Sequence, residues 1–118
     1  MKIVINDDWG GFGLSDKAIE HYAKLAGIKL IKADPEGEDK TFWGSDYYID
    51  EIGDENYFYD REISRDDGFL IQTVEELGEE ANGSHASLKI VEIPDDIEWE
   101  IHEYDGVEHV AEKHRTWR

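Results

Sequence analysis

Trp99-Glu100-Ile101-His102-Glu103-Tyr104-Asp105-Gly106-Val107-Glu108-His109-Val110, residues 99–110, decides the fold of this chain. Asp-Gly between two alternating apolar and polar runs is a strong signal for a two-residue hairpin loop, because a type I′ turn needs positive φ at both central positions. Strands over Ile97 to Tyr104 and Val107 to Arg115 are therefore expected to pair antiparallel. A two-residue loop sets His102 against His109, Ile101 against Val110 and Glu103 against Glu108. Alternation then puts Trp99, Ile101 and Val110 on the core face and both histidines on the other. Glu103 facing Glu108 is a like-charge cost that a basic group of a binding partner would relieve.

Working outward, Lys2 to Asn6 reads as a strand around Ile3-Val4-Ile5, and Trp9-Gly10-Gly11-Phe12-Gly13 forces a loop after it. Ser15 then caps a helix, with Leu14 and Ile19 placed as a hydrophobic staple and Gly27 as the stop. Its apolar side is drawn from Ala18, Ile19, Tyr22, Ala23, Leu25 and Ala26. Ile28 to Lys32 forms a second strand, ended by Asp34-Pro35-Glu36-Gly37. From Glu38 to Asp67, Trp43 and several Tyr, Ile and Phe residues alternate irregularly with acids, which predicts short strands or irregular segments. A second helix is capped by Asp66 or Asp67 and packs through Phe69, Leu70, Ile71, Val74 and Leu77 before Gly78. Glu75, Glu76, Glu79 and Glu80 load its distal end against the macrodipole, so that end should be solvated. Ala86 to Ile93 is a strand stopped by Pro94. The order predicts one α+β domain over residues 1–118, with two helices packed on a small, largely antiparallel sheet that ends in a C-terminal β-hairpin.

Charge restricts the function. Against 12 Lys+Arg the chain carries 30 Asp+Glu, a net charge of −18. Residues 1–33 have four acids and five bases, whereas residues 34–67 have thirteen and three. Such a surface repels nucleic acid and anionic membrane and attracts cations and basic protein faces over a Debye length of about 10 Å at 0.1 M salt. With 12% aromatic residues the chain should fold despite its charge. The absence of Cys excludes disulfides, thiolate metal sites and a Cys nucleophile, and suits a reducing cytoplasm. No apolar run approaches the roughly 20 residues that span a bilayer, so neither export nor a membrane partner is expected.

The candidate sites follow from the same residues. The Gly10–Gly13 loop lies between a strand and a helix, where phosphate-binding loops occur, but it lacks the glycine spacing and the Lys-Ser/Thr of such loops, and Asp7 and Asp8 oppose an anion. The His102/His109 pair has metal-ligating side chains, with Glu100 near, yet offers no four-ligand motif. Thirty carboxylates make any apparent catalytic pair uninformative, so no catalytic residue, cofactor or metal is assigned. The acids are the stronger element. Along a strand, alternate side chains face one way at about 6.7 Å spacing, so Glu98 and Glu100 form a row of charge. Asp46, Asp50, Glu51, Asp54 and Glu55 form another, with Tyr47, Tyr48, Tyr57 and Tyr59 dispersed among them as contact area and cation–π partners for Arg; Glu103 and Glu108 complete the expected surface. Rows of this kind suit the basic groove of a nucleic-acid-binding protein, since DNA presents one charge per about 1.7 Å.

Met1-Lys2-Ile3-Val4-Ile5-Asn6 followed by Gly10-Gly11-Phe12-Gly13-Leu14-Ser15, the middle Val74-Glu75-Glu76-Leu77-Gly78, and the close Glu103-Tyr104-Asp105-Gly106-Val107-Glu108 with His114-Arg115-Thr116-Trp117 resemble a group of short proteins of bacteriophages and prophage-like elements. The resemblance covers both ends and the second helix. That group has no established activity, so no site residue carries over from it. What it implies is a setting in which small acidic proteins act on host proteins. The expectation is a non-enzymatic protein that binds and inhibits a host protein with a basic surface in the host cytoplasm, as a nucleic-acid mimic. The alternative is a small-ligand or metal-binding module using the Gly10–Gly13 loop or the histidine pair.

Overall fold

In a computed structural model of the chain, which describes residues 1–33 and 46–113, the predicted α+β architecture is present with its C-terminal hairpin. The elements are β1 (Lys2–Asn6), α1 (Asp16–Ala26), β2 (Leu30–Ala33), β3 (Asp46–Ile49), α2 (Gly68–Leu77), β4 (Leu88–Glu92), β5 (Trp99–Tyr104) and β6 (Val107–Glu112), with 3-10 turns at Asp54–Asn56, Asp60–Glu62 and Gly78–Ala81. The turn expected at Asp34-Pro35-Glu36-Gly37, Trp43 and the strand end expected to reach Arg115 lie outside the described residues.

Both helices start and stop where their caps predict. Ser15 Oγ accepts from Ala18 N at 3.1 Å, and Gly27 closes α1 at φ 73° with its N–H on Ala23 O. Asp67 accepts from Phe69 N and Leu70 N at 2.8 and 3.2 Å, while its other oxygen takes the Tyr22 hydroxyl at 2.9 Å, tying the start of α2 to α1. In α2 the packed residues are Leu70, Thr73 and Val74; Phe69 is 45% exposed. At about 100° per residue Phe69 lies a quarter-turn off the stripe of Leu70, Val74 and Leu77, and Thr73 takes its place because its hydroxyl donates to Phe69 O at 2.8 Å.

The strands form three antiparallel ladders of two strands each, β1–β4, β2–β3 and β5–β6, rather than one sheet. The β5–β6 register pairs Ile101 with Val110, His102 with His109 and Glu103 with Glu108, as the Asp105-Gly106 loop requires. Asp105 and Gly106 have φ of 49° and 89°. Gly106 has a second reason to be glycine: a Cβ there would lie 2.3 Å from Trp9 O, so the hairpin tip sits directly on the loop after β1.

Strand β1 organises the core. Ile3, Val4, Ile5 and Asn6 are all buried, and Val4 belongs to the core cluster that also holds Phe12, Leu14, Ala18, Ile19, Tyr22, Leu70 and Val74. The odd-numbered backbone groups of this segment face β4, as Ile93 N on Met1 O and Asp7 N on Ser87 O show, so the N–H groups of Val4 and Asn6 point to the opposite edge. Among the described residues no third strand pairs with that edge. Arg65 O accepts from Val4 N at 2.8 Å, and a carboxylate oxygen of Glu108 accepts from Asn6 N at 2.9 Å. Glu108 is 8% exposed and is held by both guanidinium nitrogens of Arg65, Nη2 to Oε2 at 3.0 Å, while the guanidinium carbon lies 3.7 Å from the Phe12 ring centroid. Asn6 completes the node: its amide donates to Asp8 O and Gly106 O and accepts from Ser87 N.

Removing one partner of a buried ion pair strands the other, so Arg65→Ala and Glu108→Ala should each cost about 3–5 kcal/mol of stability, and the double variant clearly less than their sum. Urea unfolding of the three variants checks this; additive losses would mean that the pair does not act as a unit.

Candidate functional site: an acidic and aromatic face

Between β3 and the second 3-10 turn, residues 46–62 carry seven acids and one Lys or Arg, Arg61. Strand alternation divides the two tyrosines of β3. Tyr47 turns inward, 2% exposed, with its hydroxyl on Glu20 at 2.5 Å. Tyr48 turns outward and meets Tyr57 edge to face, ring centroids 5.5 Å apart, in an isolated antiparallel bridge. Tyr57 meets Tyr59 the same way at 4.5 Å, and Tyr59 is 54% exposed. Three tyrosines thus form a ladder on the outside of β3. The Tyr57 hydroxyl donates to Asp46 at 3.1 Å. Burial, then that hydrogen bond and the charge of Asp46, push its pKa up to about 12.

Several acids outside this face are held in ion pairs. On α2, Glu75 takes Lys2 Nζ at 2.6 Å and Glu76 takes His21 Nε2 at 2.6 Å, and in the following 3-10 turn Glu80 takes Lys17 Nζ at 2.9 Å, so the expected solvated end is exposed yet tied to β1 and α1. Hydrogen bonding and charge from Glu75 raise the Lys2 pKa, and the bonds from His21 and Gln72 lower that of Glu76. Asp7, Asp16 and Glu20 lie near Lys89 or Lys32. Among the described residues no ion pair takes a carboxylate from residues 46–62. Asp46, Asp50, Glu51 and Glu55 are exposed, and Asp54 opens a 3-10 turn.

The expected binding surface is only partly assembled. Glu98 and Glu100 lie exposed on the hairpin, on a different ladder from β3, with Glu100 Oε1 3.5 Å from His102 Nε2. Glu103 is exposed but accepts from Gly106 N at 2.8 Å, bracing its own turn. Two of the expected residues are elsewhere. Glu108 is inside the node with Arg65, a basic group of the chain itself rather than of a partner, and Tyr47 belongs to the core. Neither can meet a partner. Sequence reading also missed Arg65 and Asn6, whose only signal was a cation in an acidic stretch and a polar residue ending an apolar strand.

The alternative sites are less suited to ligands. A cleft of about 550 Å3 lies along Gly10–Lys17, bounded by Asp60, Arg61 and Asn82–Ala86. Its backbone groups are partly committed: Leu14 N donates to Asp60 at 2.8 Å, Ser15 N to Ala81 O and Gly83 N to Gly13 O. Asp16 and Asp60 on its wall oppose an anion. Phe12 packs inward as a sheet-facing loop residue should, whereas Trp9 is 68% exposed. His102 and His109 are exposed with ring centroids 5.3 Å apart at 80°, and among the described residues no group of three or more His, Asp or Glu side chains is placed to hold a metal ion. Nor is any described helix long and apolar enough to cross a membrane.

Two expectations can be measured here. Replacing His102 and His109 with Gln should move the melting temperature little, and Zn2+ should not raise it; a zinc-dependent rise lost in the double variant would reverse that reading. Tyr57 and Tyr22 both have pKa values raised from 10 to about 12, so the protonated phenols favour the folded state. Their contribution is complete below pH 10 and is lost as pH rises from about 10 to about 12, which a tyrosinate absorbance titration alongside unfolding curves would follow. Compared with family models, curated proteins and solved structures, the chain matches none of them.

Proposed function

We propose that this chain is a non-enzymatic inhibitor that docks through its Asp46–Glu62 face onto the basic surface of a host protein and occupies a nucleic-acid site there. The observation that carries the reading is the joining of two features over residues 46–62: a run of acids that enter no ion pair among the described residues, and a ladder of tyrosine rings beside them. Glu75, Glu76, Glu80, Asp16 and Glu20, by contrast, have cationic partners inside the molecule. Crowding unanswered like charges on one face costs stability through self-repulsion, and a cationic surface from another molecule offsets that cost. The tyrosine ladder supplies rigid contact area that solubility charge alone would not require. The resemblance to short bacteriophage proteins supports a bacterial host target. A chain of net charge −18 has no basic stripe with which to hold nucleic acid itself.

The test is a charge comparison. Asp46, Asp50, Glu51, Asp54 and Glu55 are changed to Asn or Gln as one set, and Glu75, Glu76, Glu79 and Glu80 as another. A partner is first recovered from bacterial lysate and identified, and its affinity for each variant is measured across a salt series. The first set should weaken binding about tenfold or more, steepest at low salt, while the second leaves affinity nearly unchanged and lowers stability slightly. Duplex DNA should compete for the partner and fail to bind the isolated chain. Equal, small effects of both sets without DNA competition would reduce the acids to solubility charge.

A further inference from the structure

We infer that the Tyr48–Tyr57–Tyr59 ladder receives arginine side chains, so that the segment of the partner seated on this face is arginine-rich rather than lysine-rich. The inference rests on the docking reading above and adds the chemistry of the occupant. A guanidinium is planar and weakly hydrated, so it lies on an aromatic ring while its edge forks onto a carboxylate; an ammonium keeps its water and acts as a point charge. The chain already contains one completed example of that arrangement. Arg65 lies 3.7 Å over the Phe12 ring and forks onto Glu108. On the outer face the same two receptors stand together with no cation among the described residues: ring surface on a half-exposed Tyr59 set edge to face with Tyr57, and the carboxylate of Asp46 at the Tyr57 hydroxyl. Arg61, the one Lys or Arg within residues 46–62, lines the groove over Gly11 instead, with Nη2 3.6 Å from where a Gly11 Cβ would stand. Charge fixes the sign of the occupant, since a second copy of this chain would bring another −18 to the face.

Two peptides of equal length and charge, one with arginine and one with lysine alternating with glycine and serine, are titrated into the full chain at low and at physiological salt. The arginine peptide should bind about fivefold tighter. Carboxylates themselves favour arginine, so the decisive reading is the change of that ratio on substitution. Tyr59→Ser removes an exposed ring and should bring the two affinities to within about twofold, while Tyr57→Phe keeps the ring and should keep the preference. Circular dichroism confirms that both variants fold. An arginine preference unchanged in Tyr59→Ser, or equal affinities in the unmodified chain, overturns the arginine inference and leaves docking through the acids intact. Binding of neither peptide at low salt, or binding indifferent to the Asp46–Glu55 charge set, overturns the docking reading along with it.

Discussion

The free edge of β1 is the constraint on which the rest of this structure depends. A strand buried on both faces must have its outward N–H groups paired, because each unpaired one costs on the order of 1–3 kcal/mol. The usual solution is another strand. Here a backbone carbonyl from Arg65 and a side-chain carboxylate from Glu108 do that work, so the edge is closed by two residues from distant parts of the sequence. Arg65 acts twice, through its carbonyl on Val4 and through its guanidinium on Glu108. That coupling fixes the segment before α2 and the hairpin at the C-terminal end against the same strand. The hairpin tip can then approach Trp9 and Gly11 so closely that only glycine fits at 106.

The division of charge follows from this arrangement. Lys2 of β1 and Lys17 and His21 of α1 lie beside the acids of α2 and of the 3-10 turn after it, and Arg65 is drawn inward by the node. Little cationic charge is left for residues 46–62. A surface ion pair adds little to stability, so the pairs on α2 matter less as glue than as neutralisation. The face of residues 46–62 keeps seven acids with a single Arg among them and, among the described residues, no ion pair. Its aromatic residues give it shape as well as charge, and shape is what turns attraction into recognition.

The ladder of Tyr48, Tyr57 and Tyr59 and the node of Phe12, Arg65 and Glu108 are two uses of the same pair of groups, an aromatic ring beside a carboxylate. Inside, the pair is desolvated and complete, and it serves the fold. Outside, it is half-solvated and open. The contrast separates residues of one chemical type by burial and by where an arginine already sits.

Much of the fold was legible because its signals are local. Ser15 and Asp67 cap helices through atoms two or three residues away, and Asp105-Gly106 sets the hairpin register through its own φ angles, so the pairing of His102 with His109 needed no tertiary information. The like-charge conflict of Glu103 and Glu108 was legible too, though its resolution was not. Only the tertiary structure decided that Glu108 goes inward to Arg65, that Asn6 is a buried hub, that Tyr47 faces the core while Tyr48 faces solvent, and that Phe69 and Trp9 remain exposed. Each of those outcomes depends on which distant group fills a given space. Composition determined that the surface is acidic; the placement of a few lysines, one histidine and Arg65 decided which acids stay unanswered, because pairing is settled by distance in space and not by distance along the chain.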